Sequence, residues 1–454
     1  MSDDKVSSGG WSRRRAIAAA GGMIAVGGCL TESKPEQSPP AQDTTPEPED
    51  EEDSSASDSW PCFGYDAGNR GSAPTASGPA QNPRIEWTFD AGTPTMNSSP
   101  VVVDNVVYTT GTGDPGGIRA VDTESGEQVW KFDTDGYVSS APAVVDGVLY
   151  AGTWGKQFYA VDIENGNQRW TVDIGHRFNS SSPVVADGRI FVGTIGDGPL
   201  LVSGPEDEEK FEACALLALD AETGDELWRY DDFGERDHIE SSPAVADGRV
   251  HFSGEETVYA LDVETGEVAW SRNIIGGSYA SPAVGDGLVY YATPYRGDSP
   301  SRLWALDAET GETRWTYGME DMSQKISPAV ADGTVYVPAS STRICSLAGG
   351  SDDDNCSGVT RGRLYAVDAK TGTERWKAEI KTDTRSSPAV ADGVVYVGCR
   401  NGLSAVTVDG ENAWRFDFEG EREDSPYVES SPAVAAGRVF IGASDGQLRS
   451  ISEE

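Results

Sequence analysis

Short runs of β-branched and aromatic residues recur along this chain, each cut off by Gly, Pro or Asp within a few positions. No segment of the repeated region sustains an apolar period of 3.6 over the length of a helix. The stretch "SSPAVADGRV" at 241–250 returns as "SSPVVADGRI" from Ser181, "SSPAVADGVV" from Ser386 and "SSPAVAAGRV" from Ser430, and looser copies begin at Ser98, Ser140, Ala280 and Ile326. In most copies apolar residues flank an Asp-Gly pair, the pattern of two strands joined by a tight turn. A second pattern follows: "AVDTESGEQVW" (120–130), "AVDIENGNQRW" (160–170), "ALDAETGDELW" (218–228), "ALDVETGEVAW" (260–270), "ALDAETGETRW" (305–315), "AVDAKTGTERW" (366–376) and the shorter "AVTVDGENAW" (405–414). Each places a turn between two further strand-like runs, which gives four strands in about 42 residues. That is one propeller blade, and the chain is read as all-β.

The eighth copy runs into "RVFIGASDGQLRSIS" and carries no Trp, whereas "RIEWTFD" (84–90) carries Trp87 with no repeat before it. Pairing that N-terminal strand into the last blade completes eight blades of four antiparallel strands and removes two exposed edges. The motif A-x-D-x-x-T-G-x-x-x-W resembles the tryptophan-docking repeat of pyrroloquinoline-quinone (PQQ) type propellers, over residues 84–454. The resemblance implies that Trp87, Trp130, Trp170, Trp228, Trp270, Trp315, Trp376 and Trp414 are structural, each lying on the Ala and Gly of the neighbouring motif. A ring that buries up to ~250 Å² needs such a small, flat partner. Residues 60–83 are similar to that family's lead-in strap.

The first 59 residues read differently. "SRRRAIAAAGGMIAVGGC" resembles a twin-arginine export signal (1–28) that ends in a lipobox, with Cys29 as the lipidated residue. Residues 29–59 are rich in Pro, Glu, Ser, Thr and Asp, and are read as a disordered tether that buries too little to order itself. The expected location is therefore the outer face of the cell membrane, held by lipid.

Charge sharpens this picture. The chain holds 75 acidic against 35 basic residues, a net −40, dispersed along its length. A Lys-poor acidic surface resembles proteins of salt-loving archaea, in which molar salt shortens the Debye length to ~3 Å and screens the repulsion. Nucleic acid is excluded as a partner by the same charge.

Chemistry is expected where the repeat is broken. The blade-to-blade loops bring Asn97, Tyr137, Arg177, Glu240, Tyr279, Lys325, Arg385 and Glu429 toward one funnel, and the insertions at 197–213 and 338–361 fall in loops at the same face. The three cations suggest a mouth for an anionic group. No Ser has a His and an acid placed to make a triad, and His176, His238 and His251 do not make a metal site. "SDDDN" (351–355) lacks the spacing of a calcium loop. Cys345 and Cys356 share one insertion and are expected to form a disulfide; Cys62, Cys214 and Cys399 are left unassigned. Quinoprotein alcohol dehydrogenases, one branch of the resembled family, hold PQQ and Ca²⁺ with adjacent cysteines, and this chain has no Cys-Cys. The other branch is non-catalytic and includes the lipoprotein of the bacterial β-barrel assembly machine. The reading is a non-catalytic, surface-anchored scaffold for a protein or extracellular ligand, without PQQ or calcium; the alternative is a PQQ-dependent dehydrogenase. If the dispersed acid is an adaptation to salt, the melting temperature followed by circular dichroism rises steeply from low to molar KCl. A flat curve would contradict it.

Overall fold

The computed structural model describes residues 59–113, 116–196, 214–233, 239–254, 256–274, 280–294, 300–319, 326–340, 362–380, 384–418 and 426–454. They form eight sheets of four antiparallel strands in simple up-and-down order, one of which gains the short parallel strand Ser72–Ala73, and no helix occurs among them. Blade 1 spans 101–134, blade 2 143–173, blade 3 184–230, blade 4 244–273, blade 5 283–318, blade 6 329–380 and blade 7 389–417. In blade 8 the strands Ala433–Ala435, Arg438–Gly442 and Gln447–Glu453 are completed by the N-terminal strand Pro83–Asp90, as the orphan Trp87 required. The innermost strands touch in cyclic order, the eighth against the first, so the ring is closed. Pro338–Ser340 prolong the second strand of blade 6, so the insertion begins at residue 341 and lies outside the described residues.

Local chemistry explains each turn. The inner hairpins turn on residues with φ of +42° to +59°, among them Asp146, Asp187, Asp247, Asp286, Asp332 and Asp392, followed by Gly; in blade 8 Ala436 takes the same place at φ +52°. Two consecutive positive φ values make the turn whose twist matches the strands it joins. At the outer corners Asp122, Asp220, Asp262, Asp307 and Asp368 each accept the N–H of the Ser or Thr three residues on. These bonds, with Arg314 beside Asp307 and Arg375 beside Asp368, hold the carboxyls below the ordinary range, Asp307 at about 2.

The blades are joined by the tryptophans. A Cβ built on Gly126, Gly166, Gly224, Gly266, Gly311, Gly372 or Gly410 would stand 2.6–2.9 Å from the indole of the preceding blade, so only Gly admits the ring. Every indole also donates its N–H across the seam: Trp87 to Thr123 O, Trp130 to Ile163 O, Trp170 to Ala221 O, Trp228 to Val263 O, Trp270 to Ala308 O, Trp315 to Ala369 O and Trp376 to Val408 O, at 2.7–3.2 Å. Blade 8 has no such corner, because its outer strand is Pro83–Asp90 and no turn joins it to Gln447–Glu453. The lead-in supplies it: Trp414 donates to Pro79 O at 2.8 Å, and Tyr396 adds its hydroxyl at 3.3 Å.

The repeated Ser-Pro makes a second seam at the channel. The N–H of the residue before Pro donates to the Ser hydroxyl at the same place in the next blade: Ala141 to Ser182, Ser182 to Ser242, Ser242 to Ser281, Ser281 to Ser327, Ser327 to Ser387, Ser387 to Ser431 and Ser431 to Ser99, at 2.8–3.1 Å. The belt lacks one hydroxyl, where blade 2 has Ala141.

The central residue of each inner strand turns its N–H toward the axis, and a propeller leaves that edge bare. Here the lead-in covers it. Trp60 bridges Val102 in both directions at 2.7 and 2.8 Å. Pro61, Ala67, Gly68, Arg70 and Gly71 then offer their carbonyls to Val144, Val245, Val284, Val330 and Val390 at 2.6–2.8 Å. Ser72–Ala73 finally pairs parallel with Val390 and Ala391. Residues 60–73 thus coil inside the channel as a plug touching six inner strands. A chain beginning at Ser59 should melt at the temperature of the full chain. One beginning at residue 74 should melt roughly 5 °C lower or more, because buried N–H groups lose their acceptors. Scanning fluorimetry separates the two, and equal melting would deny the plug a stabilising part.

Candidate binding face

The inner strands all begin at one face, where Ser-Pro precedes them. Both the blade-to-blade loops and the loops between second and third strands lie there, so this face is the variable one. Asn97, Glu240, Arg385 and Glu429 occupy the position just before the Ser pair in blades 1, 4, 7 and 8. In blades 2 and 3 that position holds Ser139 and Ser180, while Tyr137 and Arg177 sit two and three residues earlier. Tyr279 and Lys325 lie outside the described residues, as do Cys29, the pair Cys345 and Cys356, and "SDDDN".

The described residues assemble into two groups. In the first, Trp154 on the second-to-third-strand loop of blade 2 lies 4.8 Å, ring centre to ring centre, from Tyr137, and the Arg177 guanidinium stands 5.5 Å from its indole. Backbone bonds set this stack: Trp154 N–H to Tyr137 O at 3.0 Å and Ile195 N–H to Arg177 O at 2.9 Å. Burial raises the Tyr137 phenol, and Arg177 partly opposes it. In the second, Arg385 donates to Glu429 at 2.6 Å across the seam of blades 7 and 8. Arg385 and Arg400 both stand over the Tyr427 ring, at 5.3 and 5.2 Å. Trp154, Arg400 and Tyr427 carried no repeat signature and were missed by the motif.

Between these loops the channel narrows to a floor. A shallow pocket with room for about one water molecule is lined by Trp60, Phe63, Gly64, Asn69 and Gly71 of the plug and by the Ser-Pro pairs of blades 6, 7 and 8 with Ser99. Asn69 is 2% exposed and donates to Pro243 O at 2.8 Å.

Other reactive groups lie elsewhere. Cys62, Cys214 and Cys399 are buried, and burial, then Asp66, pushes the Cys62 thiol up. No group of three His, Cys, Asp or Glu among the described residues is arranged to hold a metal. His251 is fully buried against Trp270, at the place where other blades have Tyr or Phe, and neither ring nitrogen has a hydrogen-bond partner.

A family model described as "Outer membrane protein assembly factor BamB" matches residues 80–205, 114–237, 214–352 and 360–454. The chain belongs to this BamB repeat family. BamB of Yersinia pestis is 29% identical over 216 residues, 44% of this chain and 51% of that protein. The quinohemoprotein alcohol dehydrogenase of Comamonas testosteroni is 25% identical over 158 residues, 32% of this chain. The match spans only 21% of that enzyme's length. The crystal structure of BamB from Moraxella catarrhalis aligns with a TM-score of 0.60 at 16% identity, covering 82% of this chain and 99% of that one. The Comamonas enzyme aligns at 0.64 and 16%, covering 87% and 80%. At such identity the structures share the fold alone.

His251 makes a pH prediction for this BamB-family chain. Desolvation, with Arg249 adding to it, lowers its imidazole from 6.5 to about 3. The folded state keeps it neutral, so below pH 6.5 the unfolded chain binds a proton that the folded chain does not. Stability is therefore whole above pH 6.5 and falls as pH drops toward 3, by at most about 1.4 kcal/mol per unit. His251→Phe should flatten urea-derived stability between pH 6.5 and 4.5, above the window of the corner aspartates. An unchanged slope would refute the assignment.

Proposed function

We propose that this chain is a non-catalytic scaffold, exported and held at the outer face of the cell membrane by lipid on Cys29, which docks a protein partner on its variable loop face. The observation that carries the reading is the plug. Residues 60–73 of the chain bond along the inner strands of the channel and leave the loops as the recognition surface. The rigid stack of Tyr137, Trp154 and Arg177 and the group of Arg385, Arg400, Tyr427 and Glu429 suit that role, since interfaces favour aromatic and Arg anchors. The relatives named as outer membrane protein assembly factors support an assembly role at the cell envelope.

The alcohol dehydrogenase relatives support a second reading, PQQ-dependent oxidation. A quinone with its calcium would need an acidic metal shell and a free floor. The described residues do not fit it: they offer no cluster of metal-ligating side chains, and the floor is built of plug and Ser-Pro belt.

One experiment in molar KCl tests both. Native membranes are fractionated and the protein is pulled down with its partners, as wild type, as Cys29→Ser and as Arg177→Glu/Arg385→Glu. The scaffold reading expects Cys29→Ser to leave the membrane fraction. It expects the charge reversal to lose partners without a change in melting. Dye reduction by alcohols with added PQQ and Ca²⁺ would establish the enzyme reading instead.

A further inference from the structure

The seam of blades 7 and 8 carries one more cation than it has acids to hold. Among the described residues four arginines meet at this corner of the loop face: Arg385, Arg400, Arg415 and Arg449. Three have a carboxylate. Arg385 bonds Glu429 at 2.6 Å, Arg415 bonds Asp417 at 2.5 Å, and Arg449 pairs with Asp445. Arg400 is exposed, and its guanidinium makes neither an ion pair nor a hydrogen bond with a described residue. It is nevertheless held in place. It stands 5.2 Å from the centre of the Tyr427 ring, which Arg385 shares at 5.3 Å. Tyr427 is pinned to Ser444: its N–H donates to the hydroxyl at 2.7 Å, and its carbonyl accepts the Ser444 N–H at 2.8 Å. Arg400 itself sits in the tight turn Arg400-Asn401, between the strands Val394–Cys399 and Gly402–Thr407. Asn401 is tied down by the Arg415 guanidinium at 2.8 Å and by the Phe418 N–H at 2.7 Å.

We infer that Arg400 takes a carboxylate presented by an acidic segment of the protein that docks on the loop face. The inference rests on the scaffold reading and names the chemistry of its partner. Arg385 shows what this platform supports: a guanidinium over Tyr427 that also bonds a carboxylate, that of Glu429. Arg400 has the same ring under it and an unspent fork of donors. A carboxylate matches that fork with two parallel bonds, and a guanidinium already fixed loses less freedom in forming them. The other three arginines are spent on acids of the chain, so the contact falls to Arg400. Net charge sets the conditions. At low salt a chain of net −40 repels an acidic partner. In molar salt the Debye length is about 3 Å, so that repulsion is screened while a pair in contact survives.

The test uses the full chain in molar KCl and a fluorescein-labelled hexaglutamate peptide, followed by anisotropy, with hexaserine and inorganic phosphate as controls. Saturable binding of hexaglutamate is expected, and none of hexaserine. Arg400→Glu should weaken it roughly fivefold, through the loss of one charge-assisted contact. Arg400→Lys keeps the charge but loses the fork, so it should not restore binding. Lys370→Glu makes the same charge change at an exposed corner of the opposite face and should bind like wild type. Melting should be the same in all four proteins, since both positions are exposed. Absence of saturable hexaglutamate binding overturns the inference. So does binding that Arg400→Glu leaves unchanged, and so does an equal loss in Lys370→Glu, which would mark a general effect of charge. Tighter binding of phosphate than of the peptide assigns the fork to another anion and overturns it too. Hexaglutamate binding that depends on Arg400, with no native protein captured on the loop face, overturns the scaffold reading alone.

Discussion

An indole laid flat on a glycine of the next blade is the contact on which this molecule depends. Each blade alone is a four-stranded sheet with two bare faces, too small to bury a core of its own. The Trp covers part of one face, and its N–H fixes the angle at which the next blade must stand. Repeated at seven seams with one geometry, and at the eighth with the lead-in in place of a corner, that angle closes a circle. The aromatic residue on the second strand of each blade, from Tyr108 to Phe440, leans on the same indole and thickens the seam. Losing one Trp would remove a large buried ring and open a seam, a cost of about 3–5 kcal/mol.

Closure creates two debts that the lead-in settles. The eighth blade lacks an outer strand and a corner, and the channel exposes a ring of inner-strand N–H groups. Residues 60–90 answer each in turn: the plug caps the N–H groups, Pro79 acts as the missing corner for Trp414, and Pro83–Asp90 completes the sheet. One segment therefore ties blades 1, 2, 4, 5, 6, 7 and 8 together. It also places the chain's own backbone along the channel.

The two faces divide the remaining work. Asp-Gly and corner turns need nearly fixed residues, so their face is monotonous. The loops at the Ser-Pro end are free of that demand, and there the chain places its Arg, Tyr and Trp groups. The Ser belt under them ties neighbouring blades together by accepting their backbone N–H groups. In a chain of net −40, the Arg residues of this face are mostly held by aromatic rings and by one Glu, which keeps cations fixed without surrendering them to the acidic surface.

The repeat, the blade count, the Trp staples and the closure by Trp87 were all legible along the chain. Each is a local rule, such as a period, a turn residue or an orphan strand, stated many times over. The loop residues were legible only as a list. Nothing in one dimension tells Arg385 that Glu429 is its neighbour, 44 residues away, or that Tyr137 and Arg177 will meet on Trp154. The plug was invisible for a stronger reason. Its bonds run through backbone carbonyls, which every sequence has, and its site exists only once the inner strands have gathered around the axis. Asn69 shows the limit most clearly: from sequence it is a loop residue in "AGNRG", and only the closed ring buries it between blades 4 and 5 with its oxygen unmatched. Sequence determined the blades and their order because those follow from contacts near in the chain; tertiary structure alone decided the floor, because it is made where seven blades and the lead-in converge.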